Sequence, residues 1–243
     1  MRFIYLMTHR LPVLAAALCL SVSGCTATTA GIAAPSAPAP LATEQTLPTL
    51  LLAAPDVGAA LGEDDVVVSG EVSAPWDDSA HFATGADGSG TDLGCLAIAG
   101  AAQRAVYAGT GWTALRGQVL REPPTAPDWS HFATQAVVLF PDAQAAEDFY
   151  QHAQDAWAGC TNRELVYAQQ LAPDQIWQIG PVSKKSDMLT VTRTQRGPLH
   201  WSCQRALSVR GNVAIDVEAC DAGQPTDAAA AITTEIGTRM PAT

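Results

Sequence analysis

Basic residues are scarce in this sequence. Its 243 residues include 13 lysines and arginines against 24 aspartates and glutamates, which gives a formal net charge of −11. Long-range attraction to nucleic-acid phosphates or to anionic lipid headgroups needs an excess of positive charge, which this chain does not have. The composition therefore disfavours binding through a basic patch, and we expect no nucleic-acid partner.

Recognisable catalytic signatures are also missing. The sequence has no Gly-x-Ser-x-Gly elbow and no Walker-type phosphate loop, and its glycine-rich stretch over residues 85–94 indicates a flexible loop. No two histidines show the His-x-x-x-His spacing that places two imidazoles on one helix face for a metal. We therefore expect no catalytic residue, no metal ligand and no cofactor.

The first 25 residues carry the clearest positive signal. Arg2 and Arg10 precede an apolar run over residues 11–20, which is too short to span a bilayer but suits the central region of an export signal. The small residues of Val-Ser-Gly before Cys25 resemble the bacterial lipobox, in which the cysteine carries a diacylglycerol after cleavage. We predict a lipoprotein signal peptide over residues 1–24 and a lipid anchor on Cys25. The alternative is an ordinary secretory signal followed by an incidental cysteine.

The next segment has the composition of a tether. Residues 26–40 contain no charge, few bulky apolar groups and a cluster of prolines, so they cannot bury enough surface to offset their ordering entropy. We assign residues 25–40 to a lipid-anchored spacer and residues 41–243 to one folded domain, because no further proline-rich break follows. The predicted location is the outer face of the cell membrane, with the membrane as a partner through the diacylglycerol on Cys25.

The remaining cysteines predict two disulfides, because an even number is left once Cys19 leaves with the signal and Cys25 is acylated. Gly211-Asn212 lies between two strand-like runs and is typical of a two-residue hairpin turn, with glycine where a type II′ turn needs positive φ. In that register Cys203 faces Cys220 at a distance that a disulfide can close. The pairing of Cys95 with Cys160 follows by elimination.

The same register assigns side chains to two faces of the hairpin. One face is apolar and is predicted to face the core: Ala206, Val213, Ile215, Val217 and Ala219. On the other face, beside the cysteines and Leu207, Arg205 lies opposite Glu218 with Asp216 on the diagonal. Two interpretations stay open for these charges. They form a solvated cross-strand pair, or they form a charged wall that faces a ligand.

Elsewhere the pattern alternates helices and strands. Helices are predicted over residues 55–61 and 96–107, from Asp142 to Gly159, and after Thr226 or Asp227; strands are predicted over 66–72, 112–120, 134–140, 176–182 and 187–194. Neighbouring strands with interspersed helices favour an α+β fold. We expect a single domain with a largely antiparallel sheet, helices packed on its core face, and two disulfides.

Several of these segments resemble the PknH-like extracellular sensor domain family of mycobacterial receptor kinases, which also includes stand-alone lipoproteins. The resemblance extends from about Leu47 onward and is carried by Gly94-Cys95, residues 106–109 with Gly111-Trp112, the helix ending at Cys160, residues 201–207, residues 212–220 and a C-terminal helix followed by Pro241. It implies a single α/β unit with two disulfides and a cleft for an unidentified ligand. The sequence departs from receptor kinases in having no kinase domain, so we expect no intracellular part.

Trp201 shares the hairpin face of Arg205, so an aromatic surface and a guanidinium could line one concavity, and Trp112 is the second aromatic candidate. We therefore predict a ligand site that includes Trp112, Trp201, Arg205, Asp216 and Glu218. The expected function is capture, without turnover, of an anionic or carbohydrate-like envelope ligand or of a partner protein. The alternatives are an envelope hydrolase with an unrecognised site and a purely structural envelope lipoprotein.

Overall fold

A ten-stranded sheet forms the centre of the molecule. The computed structural model describes residues 41–83, 93–126, 129–169, 171–197 and 200–240, all within one compact unit. The predicted signal peptide, Cys25 and the tether lie outside the described residues, as do Pro241 and most of the glycine-rich loop. The strands are β1 (Val67–Val72), β2 (Phe82–Ala83), β3 (Ala114–Arg121), β4 (His131–Leu139), β5 (Glu164–Tyr167), β6 (Gln175–Ile179), β7 (Ser183–Lys185), β8 (Met188–Gln195), β9 (Trp201–Arg210) and β10 (Val213–Ala222).

The sheet is antiparallel at every strand pair of the described residues. The strands follow the order β1-β3-β4-β10-β9-β8-β6-β5-β2, and β7 pairs with β8 outside that path. The hairpin strands β9 and β10 therefore lie at the centre of the sheet, between β4 and β8. This arrangement confirms the predicted α+β class with a largely antiparallel sheet in a single domain.

Helices cover both faces of this sheet. They are α1 (Leu47–Leu50), α2 (Ala54–Leu61), α3 (Leu96–Ala99), α4 (Arg104–Tyr107), α5 (Ala143–Ala158) and α6 (Ala228–Thr238). One core lies between the sheet and α1, α2 and α6, and a second core lies between the opposite face and α3, α4 and α5. The sequence predicted helices on the apolar core face only. The structure corrects this, because helices also cover the charged face of the β9–β10 hairpin.

The predicted hairpin is confirmed in its register. Gly211 has φ of 52°, as the turn requires, and β9 pairs with β10 so that Cys203 lies opposite Cys220. The Cα atoms of these two cysteines are 4.0 Å apart and form a disulfide, and Cys95 forms the second disulfide with Cys160 at a Cα separation of 5.6 Å. Both predicted pairings are therefore present.

Local capping explains where the longer helices begin and end. The Asp142 carboxylate accepts a hydrogen bond from the Ala145 amide at 2.8 Å, which caps α5 as predicted. Gly62 ends α2 in the left-handed conformation, at φ of 78°. At α6, Thr226 Oγ1 accepts from the Ala228 amide at 3.1 Å. These ends are set by residues close in sequence to the helix, which is why the sequence predicts them.

One predicted helix is wrong. Residues 96–107 form two short helices, α3 and α4, instead of one, and the break between them contains Ala102 at φ of 54°. The break turns the Ala102 amide toward the sheet, where it donates to the Asp216 carboxylate at 2.8 Å. A buried carboxylate from a distant strand thus overrides the local helical pattern, because a buried acceptor left without partners is costly.

Candidate functional site

Arg205 lies in the interior of the protein. Its residue is 2% exposed, and its guanidinium lies 5.6 Å from the centre of the Trp157 ring. Nε donates to the Ala97 carbonyl at 3.1 Å, Nη1 donates to the Val217 carbonyl, and Nη2 donates to the Asp216 carboxylate at 2.6 Å. Each of the three guanidinium nitrogens has a protein acceptor, so Arg205 ties α3 to the hairpin.

Asp216 is the second centre of this network. One carboxylate oxygen accepts from Arg205, and the other accepts from the Ala102 amide and the Tyr107 hydroxyl, both at 2.8 Å. Burial, and then the charge of Asp216 beside it, raise the pKa of Tyr107 well above its ordinary value. Tyr107 therefore stays a neutral donor, and the charge of the Asp216 carboxylate is compensated by Arg205 within the fold.

Glu218 pairs with a different arginine. It lies opposite Arg205 in the register, as predicted, but its carboxylate accepts from Arg193 on β8. The Arg193 guanidinium also stacks on the Trp177 ring at 4.3 Å from the ring centre. Both interpretations of the charged face, a solvated pair and a wall open to ligand, are corrected, because α3, α4 and α5 cover it and the charges are paired internally.

The two predicted tryptophans lie at opposite ends of the sheet. Trp112 precedes β3, whose first residue pairs with Leu139, whereas Trp201 pairs with Ala222 beyond the Cys203–Cys220 row. Even the rows at the two ends of β3 are about 23 Å apart, at roughly 3.3 Å per residue. Trp112 and Trp201 therefore cannot line one small cleft, and only Trp201 stays near the predicted location beside the hairpin disulfide.

Trp201 belongs to an aromatic cluster in which Trp129 is exposed, while Trp201 and Phe132 are partly buried against the core. Its ring centre lies 5.3 Å from that of Trp129 and 6.1 Å from that of Phe132, and Trp129 lies 5.9 Å from Phe132. The Arg121 guanidinium lies 5.6 Å from the Trp129 ring centre, and Trp129 is 47% exposed. We call Arg121, Trp129, Phe132 and Trp201 the aromatic platform.

The platform lies where the neighbouring strands β3, β4 and β10 end on the same side of the sheet. Arg121 ends β3 and Phe132 lies opposite it near the start of β4, while Phe132 pairs in turn with Cys220 on β10. These side chains share the face of the sheet that carries Arg205 farther along the strands. The Cys203–Cys220 disulfide joins β9 to β10 at a position between the buried network and the platform, so it holds the strands beneath the platform together.

The sequence did not indicate Trp129. It lies in the loop between β3 and β4, close to Pro123 and Pro124, with no apolar periodicity around it. Tryptophan is usually largely buried in folded proteins, so its type alone does not mark it as a surface residue. The available signal was its place in a proline-rich loop, where a core residue is not expected.

A groove lies at the other end of the sheet from the platform. This shallow groove of about 390 Å³ runs between α5 and the β9–β10 turn, and its lining includes Glu147, Tyr150, Lys184, Asp187 and Arg210. Burial, followed by the nearby Asp187 and Glu147 carboxylates, raises the pKa of Tyr150 to about 12. The groove contains none of the predicted site residues.

The hairpin disulfide excludes one metal site, and the helices also bear on membrane insertion. Cys203, Glu218 and Cys220 come close together, but the two sulfurs are bonded to each other and provide no thiolate for a metal. Within the described ranges, no helix is both long enough and apolar enough to cross a bilayer.

These features define a disulfide-bonded α+β domain with a buried ionic network and a partly exposed aromatic surface. A family model for the PknH-like extracellular domain matches residues 42–239, and the chain belongs to that family. The family's extracellular description agrees with the two disulfides, which are typical of oxidising compartments.

Relatives and a solved structure support this membership. The chain is 34% identical over 183 residues to the serine/threonine-protein kinases PknH of Mycobacterium bovis and Mycobacterium tuberculosis. The match covers 75% of this chain but only 29% and 27% of those kinases. The crystal structure of the extracellular domain of PknH from Mycobacterium tuberculosis aligns with a TM-score of 0.72 at 30% identity, covering 82% of this chain and 97% of that one.

Proposed function

We propose that this chain is a lipid-anchored, extracytoplasmic, sensor-like domain that captures a carbohydrate-like envelope ligand bearing an acidic group. The single observation that carries the binding role is the aromatic platform, in which Trp129 is 47% exposed while in ring contact with Trp201. Exposed aromatic residues held together on a rigid sheet are typical of a binding surface.

The platform offers two kinds of interaction. The indole rings of Trp129 and Trp201 present flat apolar surfaces that can cover the C–H face of a sugar ring. The Arg121 guanidinium beside Trp129 adds a fixed positive charge in a protein with a net charge of −11. A charge-assisted hydrogen bond from this arginine to a carboxylate or phosphate could contribute about 1.5 to 3 kcal/mol. The combination favours an acidic saccharide over a neutral one.

The remaining predicted site residues take other roles in this proposal. Arg205, Asp216 and Glu218 hold α3 on the same sheet face beside the platform, because their charged groups are paired inside the protein. Trp112 packs against the core at the far end of the sheet. Of the predicted residues, Trp201 is the one that we keep as a ligand contact.

The anchor rests on the lipobox at Cys25, which lies outside the described residues. Mass spectrometry of the protein from membranes should find a mature N-terminus at Cys25 carrying a diacylglycerol. Cys25→Ala should remove the lipid and shift the protein from the membrane fraction. An unmodified Cys25 or a different mature N-terminus in the wild-type protein would contradict the anchor.

The binding role can be tested with defined saccharides. Hexagalacturonate, which is anionic, should quench tryptophan fluorescence at lower concentration than neutral maltohexaose does. Trp129→Ala should weaken hexagalacturonate binding about tenfold or more, which corresponds to about 1.4 kcal/mol. Trp76→Ala is the matched control, because Trp76 is 37% exposed and lies outside the platform. The proposal fails if neither saccharide binds, or if the two variants weaken binding equally.

A further inference from the structure

A histidine with three carboxylates around it lies on the opposite face of the sheet from the platform. His131 Nδ1 is 3.0 Å from Glu122 Oε1 and 3.9 Å from Glu63 Oε2, and His131 Nε2 is 3.4 Å from Asp221 Oδ2. One donor atom from each of Glu63, Glu122 and His131 fits within a group no more than 4.8 Å across. Together with Asp221 these residues come from four separate segments, so histidine spacing in the sequence could not indicate them.

The fold holds these groups in place. Glu63 follows the left-handed Gly62 that ends α2, and Glu122 follows the last residue of β3. His131 begins β4 and lies opposite Asp221 on β10 in the strand register. The Glu122 carboxylate also accepts hydrogen bonds from the Ser130 amide at 2.9 Å and the His131 amide at 3.0 Å. Three of the four groups are therefore fixed by the sheet, and Glu63 approaches from α2.

The charge of the cluster is unbalanced. Glu122 is 6% exposed, yet the ion pairs among the described residues connect none of Glu63, Glu122 or Asp221 with a lysine or an arginine. Hydrogen bonds from the Ser130 amide and hydroxyl and from the His131 amide stabilise the Glu122 carboxylate, whereas Glu63 and Asp221 add two further negative charges beside the imidazole. A divalent cation would reduce the repulsion among the three carboxylates.

The orientation of the imidazole within the cluster matches that of a metal-binding histidine. Metal-binding histidines usually donate their other ring N–H to a carboxylate, which fixes the tautomer and the ring orientation. In this cluster Asp221 lies on the Nε2 side, while Glu122 and Glu63 lie on the Nδ1 side. One ring nitrogen thus faces the orienting carboxylate and the other faces the two remaining oxygen donors.

We propose that Glu63, Glu122 and His131 bind a Zn²⁺-like divalent ion through two carboxylate oxygens and imidazole Nδ1, with Asp221 orienting the ring from Nε2. A mixed nitrogen and oxygen donor set suits Zn²⁺ and related transition metals better than Ca²⁺, which takes oxygen ligands only. Binding displaces any proton on Nδ1 to the solvent. The ion would brace the end of the β3–β4 hairpin against α2 and β10.

The test is a titration of the full chain in detergent with ZnCl₂, followed by calorimetry and by the visible absorption of bound Co²⁺. One Zn²⁺ should bind per chain with proton release that varies with the buffer, and Ca²⁺ should not compete. Asp221→Asn should weaken Zn²⁺ binding about 10- to 100-fold. Glu63→Gln should weaken it by at least as much, whereas Asp65→Asn, a nearby exposed carboxylate outside the cluster, should leave it unchanged.

His131 and Glu122 hydrogen-bond at the end of the β3–β4 hairpin, so replacing either one could disturb the fold. Glu63→Gln is therefore the decisive variant, and its far-UV spectrum should match that of the wild type. Retention of wild-type Zn²⁺ affinity in Glu63→Gln would overturn the proposal. Absence of Zn²⁺ binding in the wild-type chain would overturn it too, and a melting temperature that responds to pH but not to Zn²⁺ would assign the cluster to proton binding instead.

Discussion

Two arginine–tryptophan contacts on one face of the sheet have the same spacing and very different surroundings. Arg205 lies 5.6 Å from the Trp157 ring, and Arg121 lies 5.6 Å from the Trp129 ring. The first pair is buried under helices, with its guanidinium bonded to three protein acceptors, whereas Trp129 in the second pair is 47% exposed. The same residue types therefore form a framework where they are covered, and form the proposed binding surface where they are open.

The two regions should also contribute very differently to stability. In the buried network the charges are compensated within the fold, so losing one partner leaves the others unpaired in a medium of low dielectric. On the platform the same loss exposes groups that water can solvate. Substitutions at the two places should thus differ in free energy of unfolding far more than their similar geometry suggests.

The largest expected effect is at Arg205. Arg205→Ala removes the partner of the Asp216 carboxylate and leaves two backbone carbonyls without their donor. We expect a loss of about 3 to 5 kcal/mol in the free energy of unfolding, measured by urea titration with circular dichroism. Arg121→Ala is the control, with an expected change of about 0.5 kcal/mol or less. Equal stability losses in the two variants would remove the distinction between framework and platform.

The next effect is at the disulfide between the two regions. Replacing Cys203 and Cys220 together by serine should reduce the free energy of unfolding by about 3 kcal/mol, because the bridge closes a hairpin loop with a sequence separation of 17. Urea titration of the double variant measures the loss. A change of less than about 0.5 kcal/mol would show that hairpin pairing alone holds the platform in register.

A smaller effect is expected at Tyr107. Tyr107→Phe removes the hydroxyl that donates to Asp216 and should cost about 1 to 2 kcal/mol. Burial and the adjacent Asp216 raise the pKa of Tyr107 in the folded state, so its contribution is fully present below about pH 10 and is lost as the pH rises further. Urea titrations between pH 8 and 11 should show a steeper decline in the wild type than in Tyr107→Phe. Parallel curves would contradict the buried donor.

The smallest effect on stability is expected at Trp129. Trp129→Ala should change the free energy of unfolding by no more than about 0.5 kcal/mol, because the side chain is half exposed and lies in a loop. A thermal melt beside Trp157→Ala, whose ring is buried, checks this contrast, since truncation of a buried tryptophan costs about 3 to 5 kcal/mol. A large loss in Trp129→Ala would place it in the core instead of on the binding surface.

Local chemistry determined what the sequence could predict. The Gly211-Asn212 turn fixes the hairpin register and therefore the Cys203–Cys220 bridge, and Asp142 fixes the start of α5. The covering of the charged face was not predictable in this way. It depends on the break at Ala102, whose amide reaches an acceptor that is 114 residues away in the sequence.

The candidate site was harder to predict for the same reason. The strand order decides that Trp112 and Trp201 lie at opposite ends of the sheet, and no local pattern reports that order. The contact of Trp129 with Trp201 joins a proline-rich loop to a central strand, which periodicity cannot detect. The charges on β9 and β10 predicted the ion pair of Arg205 with Asp216, but the partner of Glu218 comes from β8 and further hydrogen bonds come from Ala97 on α3 and Tyr107 on α4.

The separation of framework from platform is tested most directly by hydrogen–deuterium exchange of the full chain with and without hexagalacturonate. The ligand should slow amide exchange in residues 129–132 and 201–203, which carry the platform, and leave residues 97–107 and 205–216 unchanged, because their amides are already protected by the core. Protection at residues 97–107, or in the groove at residues 147–151 and 184–187 with none at Trp129, would contradict the assignment of the platform as the binding surface.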